Sequence, residues 1–97
     1  MIEEKYLEKI KDIINNNLDN TNLKIFIFGS SLEKKHFGDL DLGIIGEIKD
    51  NKIPDLKEKF KESDLPYFVD VVDFNKVSKE FKDNVFNNKI LWLKQQS

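Results

Sequence analysis

The chain contains no cysteine and no arginine, has only 2 prolines and 4 glycines, and carries no apolar run long enough to span a bilayer. Each absence closes a route. Without cysteine there is neither a disulfide framework nor a thiolate metal site, so stability has to come from packing. Without arginine, a phosphate can be held by backbone amides, hydroxyls, lysine or a metal ion, but never by a bidentate guanidinium. Charges fall every few residues at the N-terminus, where no signal-peptide pattern is visible, so no membrane association and a cytoplasmic location are expected. A basic excess is missing as well: 16 lysines face 18 acidic side chains and the net charge is −2. That balance argues against a nucleic-acid-coating surface, and no direct nucleic-acid binding is expected. A length of 97 residues suits one domain, 1–97, with a single modest core.

What is present has a clear rhythm. Ile2, Tyr6, Leu7, Ile10, Ile13, Ile14 and Leu18 follow helical spacing, and the helix is expected to fray within Asn15–Asn22. Leu23–Phe28 is short, β-branched and aromatic, and ends at a glycine, which reads as a buried strand. Asp39–Ile45 alternates Asp, Leu, Asp, Leu and reads as a second strand. Pro54 fits the first turn of a helix carrying Leu56 and Phe60, and Ser63–Pro66 ends it. Tyr67–Phe74 reads as a third strand. Val77, Phe81 and Val85 lie four apart on a last helix, followed by the apolar segment Ile90–Leu93, which is expected to close the core beneath that helix or else to offer a partner its apolar surface. The order predicts an α+β layer, a small mixed sheet with helices packed on it. About ten residues separate the first two strands, which favours antiparallel pairing with a helical turn in the loop.

The chemistry gathers at one end of that sheet. Side chains two apart on a strand share a face, so Asp39 and Asp41 project together while Leu40 and Leu42 enter the core. Asp70 lies mid-strand, where a carboxylate is costly unless paired or metal-bound. Converging carboxylates suit a hard cation such as Mg²⁺, which also accepts water and substrate phosphate as ligands. Gly29 permits close backbone approach, and the amides and hydroxyls of Ser30 and Ser31 can cradle a phosphate. Other readings of these residues fall away. Asp39–Gly43 alternates leucine as a strand does and lacks the glutamate spacing of an EF-hand, and no Walker-type lysine follows Gly29. Asp73 has the opposite strand parity from Asp70 and is expected to cap the strand end. His36, alone in a polar loop, is expected to be exposed.

An apolar strand ending in Gly29-Ser30, a short loop, Asp39-x-Asp41 in the next strand and Asp70 within "VDVVDF" together resemble the minimal nucleotidyltransferase domains of the DNA polymerase β-like superfamily. The resemblance extends over essentially the whole chain. It implies the nucleotidyltransferase fold, a Gly29-Ser30 contact with the triphosphate of ATP, two Mg²⁺ ions on Asp39 and Asp41, and Asp70 completing the site. Many small members of that family are antitoxins of a HEPN-domain toxin and transfer AMP to a toxin tyrosine, so a HEPN-type partner is implied too. The chain departs from the family pattern in two places. Eight residues, 31–38, separate Ser30 from Asp39 instead of the usual ten, and Ser31 stands where arginine is usual. Lys34 and Lys35 are therefore the candidate cations for the triphosphate. Two alternatives stay open: an inactive antitoxin that neutralises its toxin by binding, and one subunit of a split nucleotidyltransferase.

Overall fold

The computed structural model describes residues 2–18, 22–33 and 38–94; Lys34, Lys35 and His36 lie outside the described residues. Helix α1 spans Glu4–Asn17, strand β1 Lys24–Phe28, β2 Asp39–Ile45, helix α2 Lys52–Glu62, β3 Phe68–Asp73, helix α3 Lys79–Phe86 and β4 Leu91–Lys94. A single 3-10 turn, Ser30–Leu32, follows β1. The four strands form one mixed sheet in the order β3-β2-β1-β4. β1 runs antiparallel to β2 and β4, whereas β2 and β3 are parallel across the α2 crossover. The chain has an α+β fold. Among the described residues no helix is long and apolar enough to cross a membrane.

Alternation along β1 decides what each face of the sheet buries. Ile25 and Ile27 face α1 and α2, joining Ile10, Ile14, Leu40, Leu42, Ile44, Leu56, Phe60 and Val71 in the larger core cluster. Phe26 and Phe28 face the other way, into a second cluster with Phe74 and Val85. Helix α3 covers only part of that second face, and its first turn is fixed by Ser78, whose Oγ accepts from the Phe81 amide at 3.1 Å. Such an N-cap is ordinarily worth about 1 kcal/mol. Gly43 is what allows the aromatic cluster to close. A Cβ built there would collide with the rings of Phe26 and Phe74, so only a glycine leaves room for both rings, which meet edge to face at 4.8 Å.

Several sequence expectations need amendment. Ile90–Leu93 does not simply seal the core below α3: Leu91–Lys94 is a fourth strand, pairing Trp92 with Phe26 and Leu91 with Ile27. Four residues sufficed because β1 would otherwise be an open edge with unpaired amides and carbonyls. Helix α1 ends at Asn17, inside the polar stretch where fraying is expected, and the Leu18 amide donates a hydrogen bond to the Ile14 carbonyl at 2.8 Å. Val77 precedes α3 instead of lying on it, though it still packs on the aromatic cluster. Asp73 does cap its strand end, accepting from the Asn75 amide at 2.9 Å and from Asn75 Nδ2 at 2.8 Å.

Candidate active site

The face shared with α3 turns from aromatic to acidic along β2. Phe28 pairs with Asp41 across the antiparallel ladder, and Asp41 pairs with Asp70 across the parallel one. Directly paired residues share a face, so Asp39, Asp41 and Asp70 all project from the side bearing Phe26 and Phe28. Leu40 and Leu42 are fully buried on the opposite side. Asp39, Asp41 and Asp70 therefore share one face of the sheet. Asp39 and Asp70 are exposed and Asp41 is partly buried.

The three carboxylates differ in environment. Partial burial, followed by the negative charges of Asp70 and Asp39, holds the Asp41 carboxyl above the usual carboxylate range. Asp70 is not the expensive buried carboxylate that its mid-strand position suggested. β3 is an edge strand, and the Asp70 side chain remains 63% exposed, with Lys57 Nζ of α2 at 3.8 Å from Oδ1. Screening by water makes that ion pair weak. Among the described residues no three acidic or histidine side chains are arranged as a ready metal cluster. Asp41 and Asp70 are neighbours, while Asp39 stands one pleat along.

Gly29 supplies the other half of the site. Its φ of +86° and ψ of −161° fall in a region that is essentially restricted to glycine. A Cβ at this position would lie 2.5 Å from Asp41 Oδ2. The chain thus passes over the central carboxylate with no side chain between them. The 3-10 turn then separates the two serines: Ser30 is exposed, while Ser31 is 1% exposed and its Oγ has no hydrogen-bond partner among the described residues. Of the proposed phosphate hydroxyls, Ser30 lies at the surface and Ser31 beneath it.

This donor set fits a hard divalent cation. It offers only carboxylate oxygens, the most buried of them is destabilised first by burial and then by like charge that a cation would relieve, and Gly29 leaves clear the space a side chain would fill. Two residues near the site escaped the sequence reading. Lys57 reaches Asp70 from α2, and no local motif announces it. Phe68 is 80% exposed and pairs with Asp39. Its parity with Asp70, two positions on, was a usable signal for placing it on the carboxylate face.

Known proteins share this architecture. The family described as Polymerase beta, Nucleotidyltransferase matches residues 8–97. A protein of Haemophilus influenzae named "Probable protein adenylyltransferase MntA" is 43% identical over 67 residues, covering 61% of this chain and 55% of that protein. The chain therefore spans about half the length of that curated relative. The fold is similar to a chain in the solved structure of tri-AMPylated Shewanella oneidensis HEPN toxin in complex with MNT antitoxin, with a TM-score of 0.71 and 22% identity over 98% of this chain and 75% of that one. A toxin-antitoxin structure with AMP-PNP gives a TM-score of 0.72 at 24% identity, covering 93% of this chain and 74% of that one. The chain belongs to the polymerase beta nucleotidyltransferase family.

Proposed function

We propose that the chain is a Mg²⁺-dependent protein adenylyltransferase that moves AMP from ATP to a hydroxyl of a HEPN-domain toxin, acting as its antitoxin in the cytoplasm. The observation that carries this reading is the row Asp39, Asp41 and Asp70 on one sheet face, with Gly29 passing bare over Asp41. The resemblance to a protein named as an adenylyltransferase, and to MNT chains solved with a HEPN toxin and with AMP-PNP, supports it.

In this reading Asp39, Asp41 and Asp70 hold two Mg²⁺ ions. When bound, Mg²⁺ offsets the negative charge that builds on the transferred phosphoryl group and the departing pyrophosphate. The chain's own contributions follow from position. The backbone at Gly29-Ser30, with the Ser30 hydroxyl, holds the β- and γ-phosphates beyond the end of β1, and Ser31, Lys34 and Lys35 are further candidates for that contact. Asp41 orients the α-phosphate from below. The acceptor oxygen forms a bond to the α-phosphorus as the bond from that phosphorus to the α–β bridging oxygen breaks, and pyrophosphate keeps the bonding pair. The hydroxyl proton passes to the Asp70 carboxylate, whose exposure lets it go on to water.

The test uses purified protein, ATP labelled at the α-phosphate, Mg²⁺ and a purified HEPN-domain toxin. Label should appear on that protein and disappear with Asp41→Asn. Toxin neutralisation that survives Asp39→Asn together with Asp41→Asn, without label, would replace this reading by inhibition through binding alone.

A further inference from the structure

The carboxylates and Gly29 account for the phosphates of a bound nucleotide and leave its base without a seat. The ring of Phe81, in the first turn of α3, marks a place for it. That ring is 40% exposed although it sits among aromatic neighbours, its centroid 6.2 Å from Phe28 and 5.7 Å from Phe74. Those two rings are buried and form a floor beneath it. Ser78 fixes the turn that carries it, since its Oγ accepts from the Phe81 amide. One side of the Phe81 ring is packed and the other stands in water.

We propose that Phe81 is the platform on which the base of the nucleotide stacks. The inference rests on the adenylyltransferase reading and adds to it the residue that binds the nucleoside. Phe28 pairs directly with Asp41, so the floor under Phe81 and the central carboxylate are neighbours on one face of the sheet. In-line displacement claims two directions at the α-phosphorus, one for the attacking oxygen and one for the leaving oxygen. The carboxylates occupy a third, beneath it. The nucleoside is left to run outward into water or along the sheet face. Along the face, aromatic surface begins one strand from Asp41, and Phe81 is the exposed ring that rests on it.

Two other exposed rings suit the role less well. Phe68 pairs with Asp39 and belongs to neither core cluster, so nothing holds its ring ready for a ligand. Trp92 lies on β4, two strands from Asp41, with Phe26 and Phe86 against it. Phe81 combines a place beside the Asp41 row with a ring already held on one side, which lowers the ordering cost of binding. A π face also requires no arginine, and stacking a base on one changes affinity by about tenfold or more.

The probes are ATP and inorganic tripolyphosphate, each with Mg²⁺, and binding is read by calorimetry. Tripolyphosphate carries the phosphate chain without the nucleoside, so the wild type should bind it about tenfold more weakly than ATP. Phe81→Leu keeps an apolar contact with Phe28 and Phe74 but removes the π face. It should lose about tenfold in ATP affinity and nothing in tripolyphosphate affinity, whereas Phe81→Trp should retain both and Phe68→Leu should bind ATP as the wild type does. The chain has a single tryptophan, so in a Phe81→Trp, Trp92→Phe double variant the indole emission comes from position 81 alone. ATP should quench it and tripolyphosphate should not. Cooperative thermal melts check the fold of each variant, and the quenching measurement decides should Phe81→Leu not fold. Unchanged ATP affinity in Phe81→Leu overturns the inference. So does an equal loss of both ligands, since the ring would then be structural, and so does a loss of ATP affinity confined to Phe68→Leu. Wild-type protein that binds neither ligand would strike the adenylyltransferase reading itself.

Discussion

Asp41 of β2 and Asp70 of β3 stand directly opposite each other across a parallel ladder, two carboxylates where a sheet ordinarily opposes complementary side chains. Like charges in that position destabilise a sheet by about as much as an opposite pair stabilises it, roughly 0.2–1 kcal/mol. Asp41→Asn should therefore raise folding stability at pH 7 by about that amount. The pH dependence has a definite sign. The folded-state pKa of Asp41 lies above the ordinary value of 3.8, so the unfolded chain releases this proton first as pH rises. Stability is lost as pH climbs from 3.8 through the folded pKa, and the advantage of Asp41→Asn vanishes below 3.8. Urea titrations of both proteins at neutral pH and near pH 3 would measure it. An Asp41→Asn protein that is less stable at pH 7 would contradict the assignment.

A divalent cation should reverse the same repulsion. With Mg²⁺ or Mn²⁺ at ten times its Kd, the bound state gains about 1.4 kcal/mol. For a domain of this size that corresponds to a rise in Tm of roughly 5 °C or more. Asp41→Asn and Asp70→Asn should abolish the rise. A flat melting temperature across millimolar metal would argue against carboxylate coordination.

Gly29 and Gly38 flank the same loop and should respond oppositely to substitution. Gly29→Ala forces a side chain into a glycine-only conformation and against Asp41 Oδ2, and should cost about 1–3 kcal/mol. A Cβ at Gly38 would meet nothing within 4 Å. Gly38→Ala should then be neutral or stabilising by up to about 1 kcal/mol, through loss of freedom in the unfolded chain. Chemical denaturation of the pair separates the two cases. Equal losses in both would place the strain elsewhere in the loop.

Trp92 stacks on Phe86 at a centroid distance of 6.1 Å and leans on Phe26 at 5.1 Å, while remaining 36% exposed. Truncation to alanine removes a wall of the aromatic cluster and should cost about 2–3 kcal/mol, less than the roughly 3–5 kcal/mol of a fully buried tryptophan. Partner affinity should change little, since Trp92 sits on β4 at the sheet edge opposite β3. A strong loss of partner binding with unchanged stability would make β4 an interface.

Much of this was legible in the sequence because period-2 and period-4 patterns directly encode which face a residue occupies. The alternation of Asp39, Leu40, Asp41 and Leu42 placed two carboxylates outside and two leucines inside, and the short loop after Gly29 implied an antiparallel turn. What escaped depends on contacts between distant segments. Ile90–Leu93 carries the same apolar run whether it plugs a core or pairs with a strand, and only the vacant edge of β1 decides. Edge position likewise governs Asp70, since whether a strand has a neighbour on both sides is not written in its own residues. Lys57 meets Asp70 through the packing of α2, a relationship with no local signature.

The pairing of Phe26 with Trp92 also has a consequence in time. β1 is complete near the start of the chain, yet one of its two ladder partners is made only near residue 92. During synthesis on the ribosome, β1 can zip against β2 as soon as the intervening loop has emerged. Its other edge, with the ring of Phe26 beside it, stays unsheltered until Leu91–Lys94 has emerged. Contacts so remote in sequence form slowly, because the chain between them must be ordered before they stabilise anything. The nascent protein should pass through a stage with an open, aromatic strand edge, which makes the addition of β4 the step at which folding and self-association compete.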